Sequence, residues 1–118
     1  MRIRIVDANS EAKGVETMAR ITKDMAEKRL GDVPESFVFR CWDGRTLRNL
    51  TELRDTLAGM ENESYVHHVT EQKNDFSRWV RDVIGEEKLA ADLGKSATKS
   101  QAAKAVSTRI TFLKSKLV

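Results

Sequence analysis

The chain has one cysteine, Cys41, one proline, Pro34, two histidines and seven aromatic residues of the Phe, Tyr and Trp types. A single cysteine excludes an intrachain disulfide and any multi-cysteine zinc site. No apolar run approaches the roughly 20 residues of a membrane-spanning helix. The opening residues, Met1 to Asp7, are too short and too charged to read as a signal peptide. Gly14 and Gly31 are isolated, so neither a Walker-type nor a dinucleotide-type phosphate loop is present, and no nucleophile elbow or zinc-protease motif occurs. These absences predict a cytoplasmic protein without a membrane segment and with no cofactor. What remains is 118 residues and 13.4 kDa, the size of one ordinary domain with enough chain to bury a core.

Charge is unevenly placed. The total is +3, from 21 basic and 18 acidic side chains. Residues 95–118 carry Lys95, Lys99, Lys104, Arg109, Lys114 and Lys116 and no acidic residue, so the body before them is net negative. A basic terminal segment on an acidic body suits an anionic partner such as nucleic acid. It equally suits a basic helix folded back onto that body. At 100° per residue the six cations do not share one face.

The hydrophobic pattern predicts an α+β fold: a β-hairpin, with Arg2–Val6 as a possible third N-terminal strand, packed on about five mostly short helices. Ile3 and Ile5 alternate with Arg2 and Arg4, the period of a half-buried strand. Val15, Met18, Ile21 and Met25 form a helical stripe, with Gly31 at a C-terminal position and Pro34 beyond it. Pro34 therefore divides a strand–helix extension, 1–33, from a hairpin-plus-helices module, 34–118. Residues 36–50 read as the hairpin, with Phe37, Phe39 and Cys41 on one face and Val38, Arg40 and Trp42 on the other. Asp43-Gly44 is a strong turn signal, because a two-residue hairpin turn needs φ > 0 at both positions.

Asn49 and Glu52 resemble a capping box ahead of Leu50, Leu53 and Leu57, a stripe that stops at Gly59. Around Tyr65 and Val66 the pattern allows one or two helical turns. Phe76, Trp79, Val80, Val83 and Ile84 form the clearest helical stripe, ended by Gly85. Glu86 and Glu87 suit the start of the next helix, which carries Leu89, Ala90 and Leu93 and stops at Gly94. Thr98 and Gln101 cap a last helix with a seam of Ala103, Val106, Ile110, Leu113 and Leu117. The expected core is drawn from these stripes together with Phe37 and Phe39.

The one histidine–carboxylate neighbourhood in the chain is His67-His68 with Asp75. Adjacent histidines on a helix point about 100° apart and do not easily chelate one metal. A small-ligand or metal site around His68 and Asp75 competes with a simpler reading. In that reading one histidine is exposed and the other hydrogen-bonds within the domain, for instance to the helix start at Asn74-Asp75. Cys41 follows Arg40 in a strand, but alternation points them to opposite faces, which favours a buried thiol over a nucleophile.

Phe37-x-Phe39, Trp42-Asp43-Gly44, Asn49-Leu50-x-Glu52-Leu53, His68-Val69, Asn74-Asp75-Phe76-x-x-Trp79-Val80 and Leu89-Ala90 occur in this order. Over about residues 36–115 the chain resembles a small prokaryotic, mainly archaeal, domain family of unknown function. Its most specific element is the Asn-Asp-Phe-x-x-Trp-Val string after the His-Val pair, and Glu86 matches an acidic residue that follows the helix-ending glycine. The resemblance implies a compact hairpin-and-helix module and no reaction. Any shared site would fall on Trp42, Asp43, His68, Asn74, Asp75 and Trp79.

The expected function is a small non-enzymatic interaction module with a protein partner or as a homodimer. The candidate ligand or partner surface is Trp42, Asp43, His67, His68, Asn74 and Asp75. Nucleic-acid association through Lys95, Lys99, Lys104, Arg109, Lys114 and Lys116 is the alternative, with the His68/Asp75 ligand site as the third reading.

Overall fold

The computed structural model describes residues 20–118. Arg2–Val6, and with it the possible third strand, lies outside the described residues, as do Val15 and Met18. Among the described residues, six α-helices and one two-stranded antiparallel sheet make an α+β fold. In chain order these are α1 (Lys23–Leu30), β1 (Phe39–Arg40), β2 (Thr46–Leu47), α2 (Leu50–Gly59), α3 (Asn62–His68), α4 (Asp75–Trp79), α5 (Glu87–Lys95) and α6 (Lys99–Ser115).

The helix starts obey capping chemistry. Thr22, Asn49, Asn74 and Thr98 each sit in extended backbone and accept the N–H three residues on, from Met25, Glu52, Ser77 and Gln101. The two expected boxes close one residue further out than the standard motif. Glu52 accepts the Arg48 N–H and Gln101 accepts the Ala97 N–H. Because Thr22 is an N-cap, the stripe expected from Val15 is interrupted there and α1 starts at Lys23. Gly31 stops α1 without a left-handed turn (φ −80°), its N–H reaching the Glu27 and Lys28 carbonyls. Gly94 does not stop α5, which runs through it to Lys95.

The core joins α2 to α6, with α1 and α5 packed along α6 as well. Leu50, Leu53 and Leu57 face Val106, Ile110 and Leu113 in this solvent-free interior, with Leu89 and Leu93 beside them. Ala102 rather than Ala103 opens the buried seam of α6. Residues 20–33 belong to the same body: Ala26 is fully buried, and the Val33 N–H donates to the Arg48 carbonyl at 2.8 Å.

The hairpin is shorter than the alternation suggested. Phe39 pairs with Leu47 and Arg40 with Thr46. The Cys41 N–H then donates to the Arg45 carbonyl, leaving a three-residue connection, Trp42-Asp43-Gly44. Only the last of these positions calls for glycine here, and Gly44 takes φ 99°. Phe37 is a correction to the expected core. It lies in a 3₁₀ turn, Glu35–Phe37, with 55% of its surface exposed, because the chain is not yet a strand at that point. Its backbone is held from inside by the Trp79 indole N–H, which donates to the Phe37 carbonyl at 2.8 Å.

After α4 the chain widens into a π-turn, Val80–Ile84, ended by Gly85 in the left-handed region at φ 85°. The Gly85 and Glu86 N–H groups both reach the Val80 carbonyl. Val83 and Ile84 are consequently only partly buried, whereas Phe76, Trp79 and Val80 are core.

Candidate functional site

Two polar clusters stand out, and both contain a carboxylate held by nitrogen bases. The first centres on His68, the last residue of α3. Its ring is buried against Phe39 and Phe76, with centroids 5.1 Å away in each case. Nε2 accepts the backbone N–H of Trp42 at 2.9 Å. A backbone amide has only a proton to offer, so Nε2 carries the lone pair and Nδ1 carries the hydrogen. The Nδ1–H donates to Asp75 Oδ2 at 3.0 Å, and Lys73 Nζ donates to the same oxygen at 3.0 Å. Burial pushes the Asp75 carboxyl up, but the hydrogen bonds and charge of His68 and Lys73 together outweigh it, and the group rests below the ordinary aspartate value.

The tight α3–α4 loop brings Asp75 into place. The Thr70 N–H meets the Lys73 carbonyl at 2.9 Å, and Val69 bridges Asn74. Asn74 does not face His68. Its Oδ1 caps α4, and its Nδ2 donates to the Leu93 carbonyl of α5 at 3.1 Å.

Above this buried ring lies an exposed aromatic step. Trp42 is 51% exposed, and its indole stacks on the exposed His67 ring at 5.0 Å and 22°. Val66, 58% exposed, is the next residue along α3. Asp43 closes the turn locally: it accepts the Arg45 N–H at 3.2 Å and pairs with the Arg45 guanidinium at 2.9 Å. The little burial it has raises its carboxyl, but the Arg45 contacts more than offset this and the net shift is downward.

The expected candidates therefore divide. Trp42, Asp43, His67, His68 and Asp75 come together at the hairpin tip, and Asn74 turns away to α5. Both His68 nitrogens are engaged within the domain, so with these bonds in place the ring has no free nitrogen for a metal or a substrate. Among the described residues no three His, Cys, Asp or Glu side chains gather to hold a metal ion. Cys41 is buried; desolvation and the Asp43 charge push its thiol up, away from the reactive thiolate.

Glu86 forms the second cluster, which sequence reasoning missed. It stands at the start of α5, as expected, yet it is fully buried and caps nothing with its side chain. The π-turn and Gly85 re-aim the chain so that this carboxylate enters the interior. There Arg29 of α1 donates to Oε2 at 2.6 Å, while Arg109 of α6 donates to Oε1 and, at 3.1 Å, to Oε2. The available signal was an acidic residue set between two apolar stripes directly after a helix-ending glycine.

The basic segment is correspondingly dispersed. Arg109 faces Glu86, and its guanidinium carbon lies 4.5 Å from the Phe112 ring centroid. Lys116 lies 5.0 Å from the same ring. Lys95, Lys104 and Lys114 are exposed, and Lys99 is half-buried. No helix among the described residues is long and apolar enough to cross a membrane. No protein-family model, curated protein or solved structure matches the chain.

Proposed function

We propose that the chain is a non-enzymatic interaction module whose contact surface is the Trp42–His67 step with Val66 beside it. One observation carries this reading. A tryptophan is left 51% exposed on a hairpin tip while its backbone is tied into the interior by His68. Tryptophan held rigidly at the surface loses little side-chain entropy on binding and is the residue type most enriched where interfaces concentrate their energy. The catalytic reading of His68 and Asp75 is disfavoured, since both imidazole nitrogens and Asp75 Oδ2 are already engaged within the domain. The nucleic-acid reading is weakened because Arg109 is engaged with Glu86 and, at 100° per residue, the cations of the segment do not share one helix face.

The test is a photo-crosslinking side chain in place of Val66, introduced into the full chain in its native cells. A discrete adduct of defined mass, lost when Trp42→Ala is added, is expected. An adduct indifferent to Trp42→Ala, or none at all, overturns the reading. Fluorescence anisotropy with a random duplex over a salt series covers the cations of residues 95–118 other than Arg109. If five of them met phosphates, the log–log slope would be about −4.5.

A further inference from the structure

One imidazole joins the exposed tip to the interior, and it is the only link in that chain able to change charge near neutral pH. We infer that His68 is a proton-operated latch on the Trp42 face, releasing the hairpin tip from α3 when Nε2 takes up a proton. The inference rests on the contact surface proposed above and adds its regulation.

The step balances simply. A solvent proton bonds to the Nε2 lone pair, and the Trp42 N–H, which that lone pair accepted, is left facing another N–H donor. One of the two must move. The ring is poorly placed to do so. Its Nδ1–H remains on Asp75, in a bond that strengthens when the imidazole is charged. Its faces and edges are enclosed by Phe39 and Phe76.

The bonds that shape the tip survive the loss of the latch. Its own bonds, Gly44 N–H to the Cys41 carbonyl, Cys41 N–H to the Arg45 carbonyl and the Asp43–Arg45 pair, do not involve His68. Displacing Trp42 also takes its indole off His67, so the aromatic step and the latch are one device.

The ionisable groups around the ring pull in both directions. Asp75 favours the charged imidazole, and Lys73 on the same oxygen opposes it. From the hairpin side Asp43 favours the charge, though its carboxylate is already paired with Arg45. On the same helix the His67 ring lies edge-on at 5.2 Å and opposes it when itself protonated. Tyr65, one turn earlier, stays neutral, since burial pushes its hydroxyl up. Cys41, next to Trp42 in the chain, stays a neutral thiol for the same reason.

The test is an NMR titration of the isotope-labelled full chain from pH 8 to pH 5, following the two imidazole rings and the Trp42 backbone amide. The Trp42 amide is expected to shift with the midpoint of the His68 ring, and its protected exchange to speed up at least tenfold beyond the intrinsic pH effect. His67→Gln is expected to keep the Trp42 shift tied to the His68 ring, with the shared midpoint moved upward because one opposing charge is gone, and His68→Gln to abolish the shift. A Trp42 amide that stays constant while His68 titrates, that follows His67 instead, or that stays latched because His68 never protonates before the chain unfolds overturns the latch. Should His68→Gln fail to fold, the wild-type and His67→Gln titrations decide. A flat Trp42 amide leaves the contact surface standing, and a missing cross-link from position 66 at neutral pH leaves this titration standing.

Discussion

The Glu86 and His68 clusters share a plan and differ in one respect. In each, a carboxylate joins elements distant in sequence: α1, the π-turn and α6 around Glu86; the hairpin, α3 and the start of α4 around His68. Glu86 is held by two guanidinium groups, which stay charged at any physiological pH. Asp75 is held by an imidazole and an exposed lysine. A carboxylate buried between permanent cations makes a fixed joint, because neither guanidinium can relax by losing its charge. An imidazole that accepts on one nitrogen and donates on the other makes a joint that solvent can address. The fixed joint sits where three helices meet, and the adjustable one sits under the exposed tryptophan. For the interaction module proposed above, this arrangement would be rigid where the chain folds and responsive at the proposed contact surface.

The largest predicted effect removes the fixed joint. Glu86→Gln leaves two arginines around a neutral amide in a water-free site, and breaking a buried pair in this way costs about 3–5 kcal/mol. Urea unfolding of the full chain measures it. A change under about 1 kcal/mol would show that water reaches Glu86 and that the contrast between the clusters is false. His68→Ala comes next. It leaves the Trp42 N–H and one Asp75 oxygen short of a partner and opens space beside Phe39 and Phe76, for a loss of about 2–3 kcal/mol by the same measurement.

Asp75→Asn sharpens the comparison through pH. The folded Asp75 carboxyl lies below its reference value of 3.8. A depressed folded value stabilises the protein above the unfolded value, and the contribution is lost as pH falls through 3.8 and then through the lower folded value. The variant is therefore expected to be less stable than wild type at pH 6, with the gap closing below about pH 4. Thermal unfolding across pH 2.5–7 checks this, and a constant gap would contradict it. The smallest effect on folding belongs to Trp42→Ala. Its half-exposed ring contributes less than about 1 kcal/mol to stability, while the cross-link from position 66 is lost. The folding effect is read by urea unfolding, and the two readouts separate a binding residue from a packing one.

The parts of the fold legible in the sequence are those fixed by local chemistry. Asn49, Asn74 and Thr98 announce helix starts because a short polar side chain satisfies an orphan N–H at no cost in strain. Leu50, Leu53 and Leu57 and the seam through Val106, Ile110 and Leu113 are legible because their spacing matches the helical period. The pairing of His68 with Asp75 was among the local possibilities, seven residues apart across a tight loop.

What stayed hidden depends on tertiary placement. Phe37 continues the strand alternation on paper, yet a 3₁₀ turn interrupts the pleat and turns its ring outward. The acceptor of the Trp42 N–H lies 26 residues away, and nothing local indicates it. Glu86 read as an acid suited to a helix start, which says nothing of its depth. Its burial follows only once the π-turn rotates it inward and α1 and α6 supply their arginines. The engagement of Arg109, one of the candidate phosphate contacts, with Glu86 is hidden for the same reason. Charge counted along the sequence does not reveal which cations are already engaged.

The most direct test of the contrast between the two clusters is hydrogen–deuterium exchange of the full chain at pH 7 and pH 5, each corrected for intrinsic rate. Protection is predicted to fall at the lower pH over residues 41–45 while residues 84–90 and 106–112 keep theirs. Equal loss in both regions, or no loss at the hairpin, would contradict the division into a fixed joint at Glu86 and an adjustable one at His68.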